Sequence, residues 1–391
     1  MHTASPVHPR SVKQLAALAV GAFAIGLGSF VVIGALDEIA RALAVTPRAA
    51  GWIISAYALC YAISAPISAL LFARANRRTL LILALSMFTL GNLVCIFADT
   101  LAALITGHIV FAFGAAMFTP TAASLATELM GPGRKGLALS FVYGGMTVSQ
   151  AAGVPITTWI AQTSGWRYAF VIVLGFGLLA ISLLLSQAPK PQAPSAPGPR
   201  WTRPSTIPWP IVGLLATSFL IVISDFTVYS YVSVILADTW LGAVKVLPLV
   251  LMAFGLGAII GNVATGLLTD RIGPTIVLLG AVAAQTLLLI LMILCRHHGA
   301  VTLAIGFGWG IASYMYLVPI QHRLLSRAPD AQPLVLAMNG SLVQGGVAVG
   351  AAVGGLAMER GGMSLLAWVA ALIALAAFLT AAAFVRKRGG E

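Results

Sequence analysis

Gly266-Leu267-Leu268-Thr269-Asp270-Arg271-Ile272-Gly273-Pro274 is a single charged turn set between two long apolar runs. Its echo lies 197 residues earlier, at Ala69-Leu70-Leu71-Phe72-Ala73-Arg74-Ala75-Asn76-Arg77-Arg78. In both copies an apolar run ends in Leu-Leu, passes through a short turn carrying an Arg and re-enters an apolar run. That is how two membrane spans are joined on one face of a bilayer. The chain therefore reads as two copies of one plan. Gly273 suits a backbone conformation closed to residues with a Cβ, and Pro274 suits the first position of the next helix.

Composition sets the solvent. The 391 residues are 60% apolar and only 8% charged, against a charged share of about 25% in soluble domains. Twelve spans of about 20 residues need roughly 240 apolar-rich positions, and 60% of 391 is about 235. The expected fold is an all-α integral membrane protein of twelve transmembrane helices in two pseudo-symmetric six-helix bundles. Cys60, Cys95 and Cys295 lie inside apolar runs and are odd in number, so they read as small buried hydrophobes and not as a disulfide framework.

A net charge of +12 raises the question of nucleic acid, but the basic residues are scattered in short loops and form no stripe. Membrane topology accounts for them. With a cytoplasmic N-terminus, sixteen of the 22 Lys and Arg residues fall in loops on that side and six on the other. This positive-inside bias puts both termini in the cytoplasm. The head before Gln14 is followed by no small-residue cleavage site, so no cleaved signal peptide is expected.

The spans are expected at 14–36, 51–72, 79–97, 102–126, 137–160 and 166–186, then 209–236, 241–268, 275–295, 301–319, 335–356 and 364–385. Residues 187–208 are polar and Pro-rich, which marks a cytoplasmic linker between an N-terminal bundle, 1–186, and a C-terminal bundle, 209–391.

The pattern GxxxDRxGP at Gly266, Asp270, Arg271 and Gly273 resembles the loop signature of the major facilitator superfamily, which occurs after spans 2 and 8. The first copy departs from it, with Ala69, Ala73 and Asn76 at the three signature positions, leaving Arg74, Arg77 and Arg78. This weakened form is similar to that of twelve-span drug and sugar:proton efflux permeases of the arabinose-efflux type. In span 5, Gly153-Val154-Pro155 follows Gln150 and resembles the glycine-proline signature of proton-driven antiporters, although Ile156, Thr157 and Thr158 stand where glycine continues it. The bland reading of Gly153 and Pro155 is close helix packing with a bend. Gly165-Trp166-Arg167 is similar to a common opening of span 6, where the expected job is interfacial anchoring with Arg167 reaching to headgroups.

Asp225 lies about sixteen residues into span 7, roughly 24 Å along it at about 1.5 Å per residue. A carboxylate there costs several kcal/mol unless it is hydrated, paired or protonated, so it marks an ion or substrate path. If span 7 starts later, Asp225 instead lies near the outer mouth. Aligning Gly28-Ser29-Phe30-Val31 with Ser224-Asp225-Phe226-Thr227, 196 residues on, makes Ser29 its repeat partner. Related antiporters carry their acid in span 1; here it stands in span 7. His108 in span 4 occupies the position at which the family carries an Arg. It reads either as a second proton site, since imidazole titrates near pH 6.5, or as a packing residue. Ser29, Tyr57, Tyr61, Gln150, Tyr229, Trp309, Tyr314, Asn339 and Gln344 are the candidate cavity residues, their rings and amides suiting a neutral or amphipathic solute.

The resemblance implies a secondary active transporter of the bacterial inner membrane. It would export a small organic solute (drug, sugar or nucleoside-like) by alternating access in exchange for protons, as a monomer without cofactor or metal. An uptake symporter or a passive facilitator is the alternative. No HExxH, GxSxG or buried acid pair supports an enzyme.

Overall fold

The structure, a computed structural model, describes residues 9–72, 75–130, 135–187, 208–328 and 332–386. Arg74 and nearly all of the expected linker lie outside the described residues, as does the side chain of Asp270. The first half contains α1 (Pro9–Ala42), α2 (Pro47–Leu71), α3 (Arg77–Ile96) and α4 (Leu101–Met130). A composite rod follows, made of α5 (Lys135–Val148), a π turn (Ser149–Gly153) and α6 (Val154–Ser164), and then α7 (Trp166–Gln187). The second half contains α8 (Trp209–Tyr229), the short α9 (Val232–Ile235) and the antiparallel pair β1 (Trp240–Leu241) and β2 (Val244–Lys245). After these come α10 (Leu247–Ile272), α11 (Pro274–Leu294), α12 (Gly299–Met315), α13 (Leu317–Arg327) and α14 (Gln332–Arg386).

Ten helices among the described residues are long and apolar enough to cross a membrane, where the sequence suggested twelve. Two local events account for the difference. α14 is interrupted by non-helical Gly361 and Gly362, the latter at φ +62°, and so folds back on itself. The rod of α5 and α6 is divided by its π turn. Other expected boundaries need correction. Span 7 is not continuous to residue 236, because α8 ends at Tyr229 and a turn at Ser230–Tyr231 precedes α9. Span 8 does not begin at residue 241, because Trp240–Lys245 forms the two-strand hairpin around Gly242 at φ +62°. Span 10 runs on through a break at Tyr316 into α13.

The exterior carries Leu59, Ile63, Leu90, Val263, Leu372 and many more apolar side chains in the open. In water such a surface would aggregate; in lipid it is matched to its solvent, and the helices satisfy their own backbone groups.

The two matched turns end their helices differently. Gly273 sits at φ +85° and hands over directly to Pro274 in the first turn of α11. Its counterpart Asn76 stays in the extended region and caps α3 with its side chain, the Oδ1 accepting from the amides of Arg78 at 2.9 Å and Thr79 at 3.4 Å. Arg77 beside it pairs with Glu128 of α4. Arg167, expected at the interface, is partly exposed there and also has partners within the protein. Its guanidinium donates to the carbonyls of Ile96 at 3.2 Å and Ala98 at 2.8 Å and to Asp99 at 2.8 Å, closing the C-terminal end of α3.

Short connections make successive rods antiparallel, so the bundle has a proximal end, where α1 begins, and a distal end. The halves meet through α2 against α14, and through α10 against α6 and the π turn. At the distal end Arg48 pairs with Glu359, and Lys245 approaches Glu38 at 3.9 Å. Both partners of the first pair are substantially exposed, and such pairs contribute about 0–1 kcal/mol. Packing carries more of the closure. The fully buried ring of Tyr231 lies against Gly51 of the first half and Gly355 of the second, and its hydroxyl donates to the Ala351 carbonyl at 2.8 Å. Nearer mid-depth, Ser55 donates to the Ala348 carbonyl at 2.9 Å. There Gly255 also lies directly on the backbone of Ala151, so a Cβ would collide with main chain that has no rotamer to yield. Gly255→Val is expected to push the halves apart and lower the cross-linking yield of an Arg48→Cys/Glu359→Cys pair. Gly266→Val, at a position with open space around it, should leave that yield unchanged. Equal yields in both backgrounds would show that this glycine contact does not set the approach of the halves.

Candidate functional site

Asp225 sits in the penultimate turn of α8 and is 9% exposed. α12 supplies its partners. The indole Nε1 of Trp309 donates to Asp225 Oδ1 at 2.6 Å, and the hydroxyl of Ser313 donates to the same oxygen at 3.0 Å. Trp309 and Ser313 are four apart on one helix and therefore share a face. Trp309 lies ten residues into α12, about 15 Å from its distal end, which places the carboxylate at depth and not at the mouth. Among the described residues Oδ2 accepts no hydrogen bond, and no Lys, Arg or His forms an ion pair with this acid.

Aromatic side chains surround it. The Tyr229 ring, one turn beyond Asp225, stacks on Phe254 at 4.8 Å and meets Trp309 edge-on at 5.5 Å. Phe254 and Trp309 are 5.2 Å apart. Phe226 contacts Tyr229 at 5.6 Å, and Phe30, from α1 of the other half, approaches the same ring at 6.4 Å.

In the first half the Ser29 and Tyr57 hydroxyls are 2.5 Å apart, and Ser29 also donates to the Ile25 carbonyl. At the 197-residue offset of the matched turns, Ser29 and Tyr57 correspond to Phe226 and Phe254, neither of which has a hydroxyl, and Asp225 stands one position before that register. The acid takes its donors from α12 instead.

His108 does not join Asp225. It is buried among Tyr57, Phe111 and Phe170, with ring centroids at 6.4, 5.6 and 5.7 Å. Its Nδ1 lies 3.3 Å from both the Leu104 carbonyl and the Cys95 thiol. Tyr61 neighbours Tyr57 at 6.2 Å. Gln150 and Tyr314 meet across the halves, the Tyr314 hydroxyl donating to Gln150 Oε1. Gln150 is presented by the π turn, in which the Val154 amide bonds to the Ser149 carbonyl. Pro155 directly afterwards has no amide to continue the α ladder, and a wider turn there is a common response at functional positions. Gly153 is buried against Phe23 and Leu27 of α1, within its own half. Asn339 is buried, with its Oδ1 unpartnered among the described residues, and Gln344 is half-buried on the same helix. Neither contacts the Asp225 cluster through a described hydrogen bond. Arg78, Arg271 and Gly266 lie toward the proximal end, away from this cluster.

Sequence reasoning overlooked Ser313, Phe254, Phe30 and Phe226. Two of these had a signal: Ser313 follows Trp309 by one helical repeat, and Phe254 is the repeat mate of Tyr57.

The family model described as Major Facilitator Superfamily matches residues 18–329 and 214–391. The chain is 30% identical over 356 residues to an uncharacterized MFS-type transporter, YbcL, of Bacillus subtilis (strain 168), covering 91% of each. It is 30% identical over 382 residues to the inner membrane transport protein YdhP of Escherichia coli O157:H7, covering 96% of each.

The hydrogen bond between Tyr314 and Gln150 is a polar link across the halves, and such a bond contributes about 1 kcal/mol net. Tyr314→Phe and Gln150→Ala should each lower stability in detergent. The double variant should lose less than the sum by about 0.5–1.5 kcal/mol, read as a double-mutant cycle from unfolding curves. Additive losses would mean that the two side chains do not interact.

Proposed function

The chain belongs to the major facilitator superfamily, and from that premise we propose that this multi-pass membrane transporter exports a small organic solute by alternating access in exchange for protons. Counting α14 as two crossings and the rod of α5 and α6 as one brings the spans to the proposed twelve, six in each half. The excess of Lys and Arg at the proximal face makes that face cytoplasmic, with both termini there. The name of the relative YdhP supports the same compartment, the inner membrane.

The single observation that carries the coupling is Asp225, an acid at depth without a basic partner among the described residues. Carrying a bare carboxylate through an apolar path is costly, so a proton or a solute has to accompany it during reorientation. The contacts of Tyr231, Arg48 and Glu359 join the halves at the distal face. The glycine-proline signature of span 5 supports antiport, and through it the export direction. His108, packed beside Tyr57 and apart from Asp225, acts as a modulating group, holding the aromatic wall on which Tyr57 and Ser29 depend.

The test is flux in reconstituted vesicles, with a solute taken from a panel of sugars, nucleosides and amphiphilic drugs. Asp225→Asn should abolish accumulation driven by an imposed pH gradient while sparing solute exchange, and Asp225→Glu should keep part of it. His108→Gln should alter the pH dependence and leave coupled flux in place. Vesicles of Asp225→Asn that still build a solute gradient from a pH gradient would place coupling elsewhere.

A further inference from the structure

At the proximal end of α3 the exterior of the bundle is indented. A cavity of about 460 Å³ lies there, lined among the described residues by Asn76, Arg78, Thr79, Ile82, Leu83 and Ser86. Positions 79, 82, 83 and 86 recur at three and four residues along the helix and so share one face. That face looks outward, since Leu83 and, two turns farther on, Leu90 are 44% and 56% exposed. In a bilayer it borders lipid. From Arg78 to Ser86 the helix rises about 12 Å, which is most of one leaflet of a hydrocarbon core about 30 Å thick.

The charge at the head of this groove is unmatched. Arg77 is paired with Glu128 of α4, whereas the Arg78 guanidinium has no acidic partner among the described residues. The amides of Arg78 and Thr79 are already taken by Asn76 Oδ1, so the helix end itself is not the attraction. What stays open is a set of side-chain donors, the Arg78 guanidinium, Asn76 Nδ2 and the Thr79 hydroxyl, with no acid in the described lining. Deeper in, Ile82 and Leu83 offer only hydrocarbon. The second half does not repeat the arrangement. Thr275, 197 residues after Arg78, accepts from Arg323 of α13, and Ile276 follows where the first half has Thr79. The first matched turn has also lost its acid, with Ala73 standing 197 residues before Asp270.

We propose that this groove binds one anionic phospholipid from the leaflet at the proximal end, with its phosphate on Arg78, Asn76 and Thr79 and an acyl chain laid along Ile82 and Leu83 toward Ser86. Donors at the rim above an apolar wall match the two parts of such a molecule. A soluble phosphate would use only the upper part, and a neutral acyl chain only the lower. A zwitterionic headgroup brings its own positive charge up to Arg78, where no acid waits to receive it, and an anionic headgroup brings none. Basic pockets at the rim of membrane spans hold anionic headgroups through this pairing. The site lies on the exterior, apart from Asp225, and depends on neither export nor proton coupling.

The test is native mass spectrometry of the full chain in detergent, titrated with phosphatidylglycerol and with phosphatidylcholine of the same acyl chains. Inorganic phosphate and glycerol 3-phosphate serve as soluble competitors. Phosphatidylglycerol should saturate at about one tightly held molecule per chain and bind about fivefold or more tightly than phosphatidylcholine. Arg78→Gln should remove that preference. Leu83→Trp fills the groove and should weaken phosphatidylglycerol about as much with the charge intact. Leu90→Trp, on the same outward face beyond the cavity, should leave it bound. Neither soluble phosphate should displace the lipid, and monodisperse gel filtration of the three variants separates lost binding from misfolding. The proposal is overturned if phosphatidylcholine binds as tightly, or if either Arg78→Gln or Leu83→Trp binds phosphatidylglycerol like the unsubstituted protein. Equal loss in Leu90→Trp would also overturn it, since the contact would then be that of bulk lipid. So would displacement by glycerol 3-phosphate, which would make the groove a site for a soluble phosphate.

Discussion

A backbone amide or carbonyl in lipid has no water to turn to, and each one left unpaired costs several kcal/mol. This constraint makes helices of nearly every described segment, and it makes each interruption informative. Interruptions are tolerated where protein or a cavity, and not lipid, faces the freed groups. Three of them border the candidate site. The π turn carries Gln150, the turn at Ser230–Tyr231 follows Asp225 and Tyr229, and the break at Tyr316 follows Ser313 and Tyr314. Among the described residues, three interruptions thus fall next to the side chains grouped around Asp225.

The two halves share a plan but divide the chemistry unequally. The first half carries a hydroxyl pair, Ser29 in α1 with Tyr57 in α2, and the second carries an acid, Asp225 in α8, held by Trp309 and Ser313 of α12. A hydroxyl pair satisfies itself and is indifferent to what passes. An acid cannot satisfy itself, and so makes the second half the one that must respond to charge. His108 belongs to the first half's packing, held by a backbone carbonyl, a thiol and three rings.

Much of the architecture was legible because it follows from period and composition. Apolar runs, the turn at Gly273–Pro274 and the 197-residue offset all reflect local constraints that a sequence displays directly. The depth of Asp225 was also readable, since it needs only a count along the span. Its donors were not. Whether Trp309 turns its indole edge to the acid depends on how α12 is rotated against α8, and that rotation is set by packing among helices far apart in the chain. For the same reason the three acceptors that Arg167 finds at the end of α3 were not readable from the sequence. The hairpin at Trp240–Lys245 was hidden because its apolar residues continue the pattern of the following helix, and only Gly242 hinted at a turn.

The contact of Gly255 with the main chain of Ala151 bears on friction. Where side chains interlock as knobs and holes, one helix can pass another only by rotamer changes, and the path between two arrangements is rough. A glycine against main chain offers nothing to interlock. α10 therefore meets the π turn at this point as a smooth bearing, and in the rocking proposed above it would be discrete polar contacts, such as that of Tyr314 with Gln150, rather than steric catches, that have to be broken there.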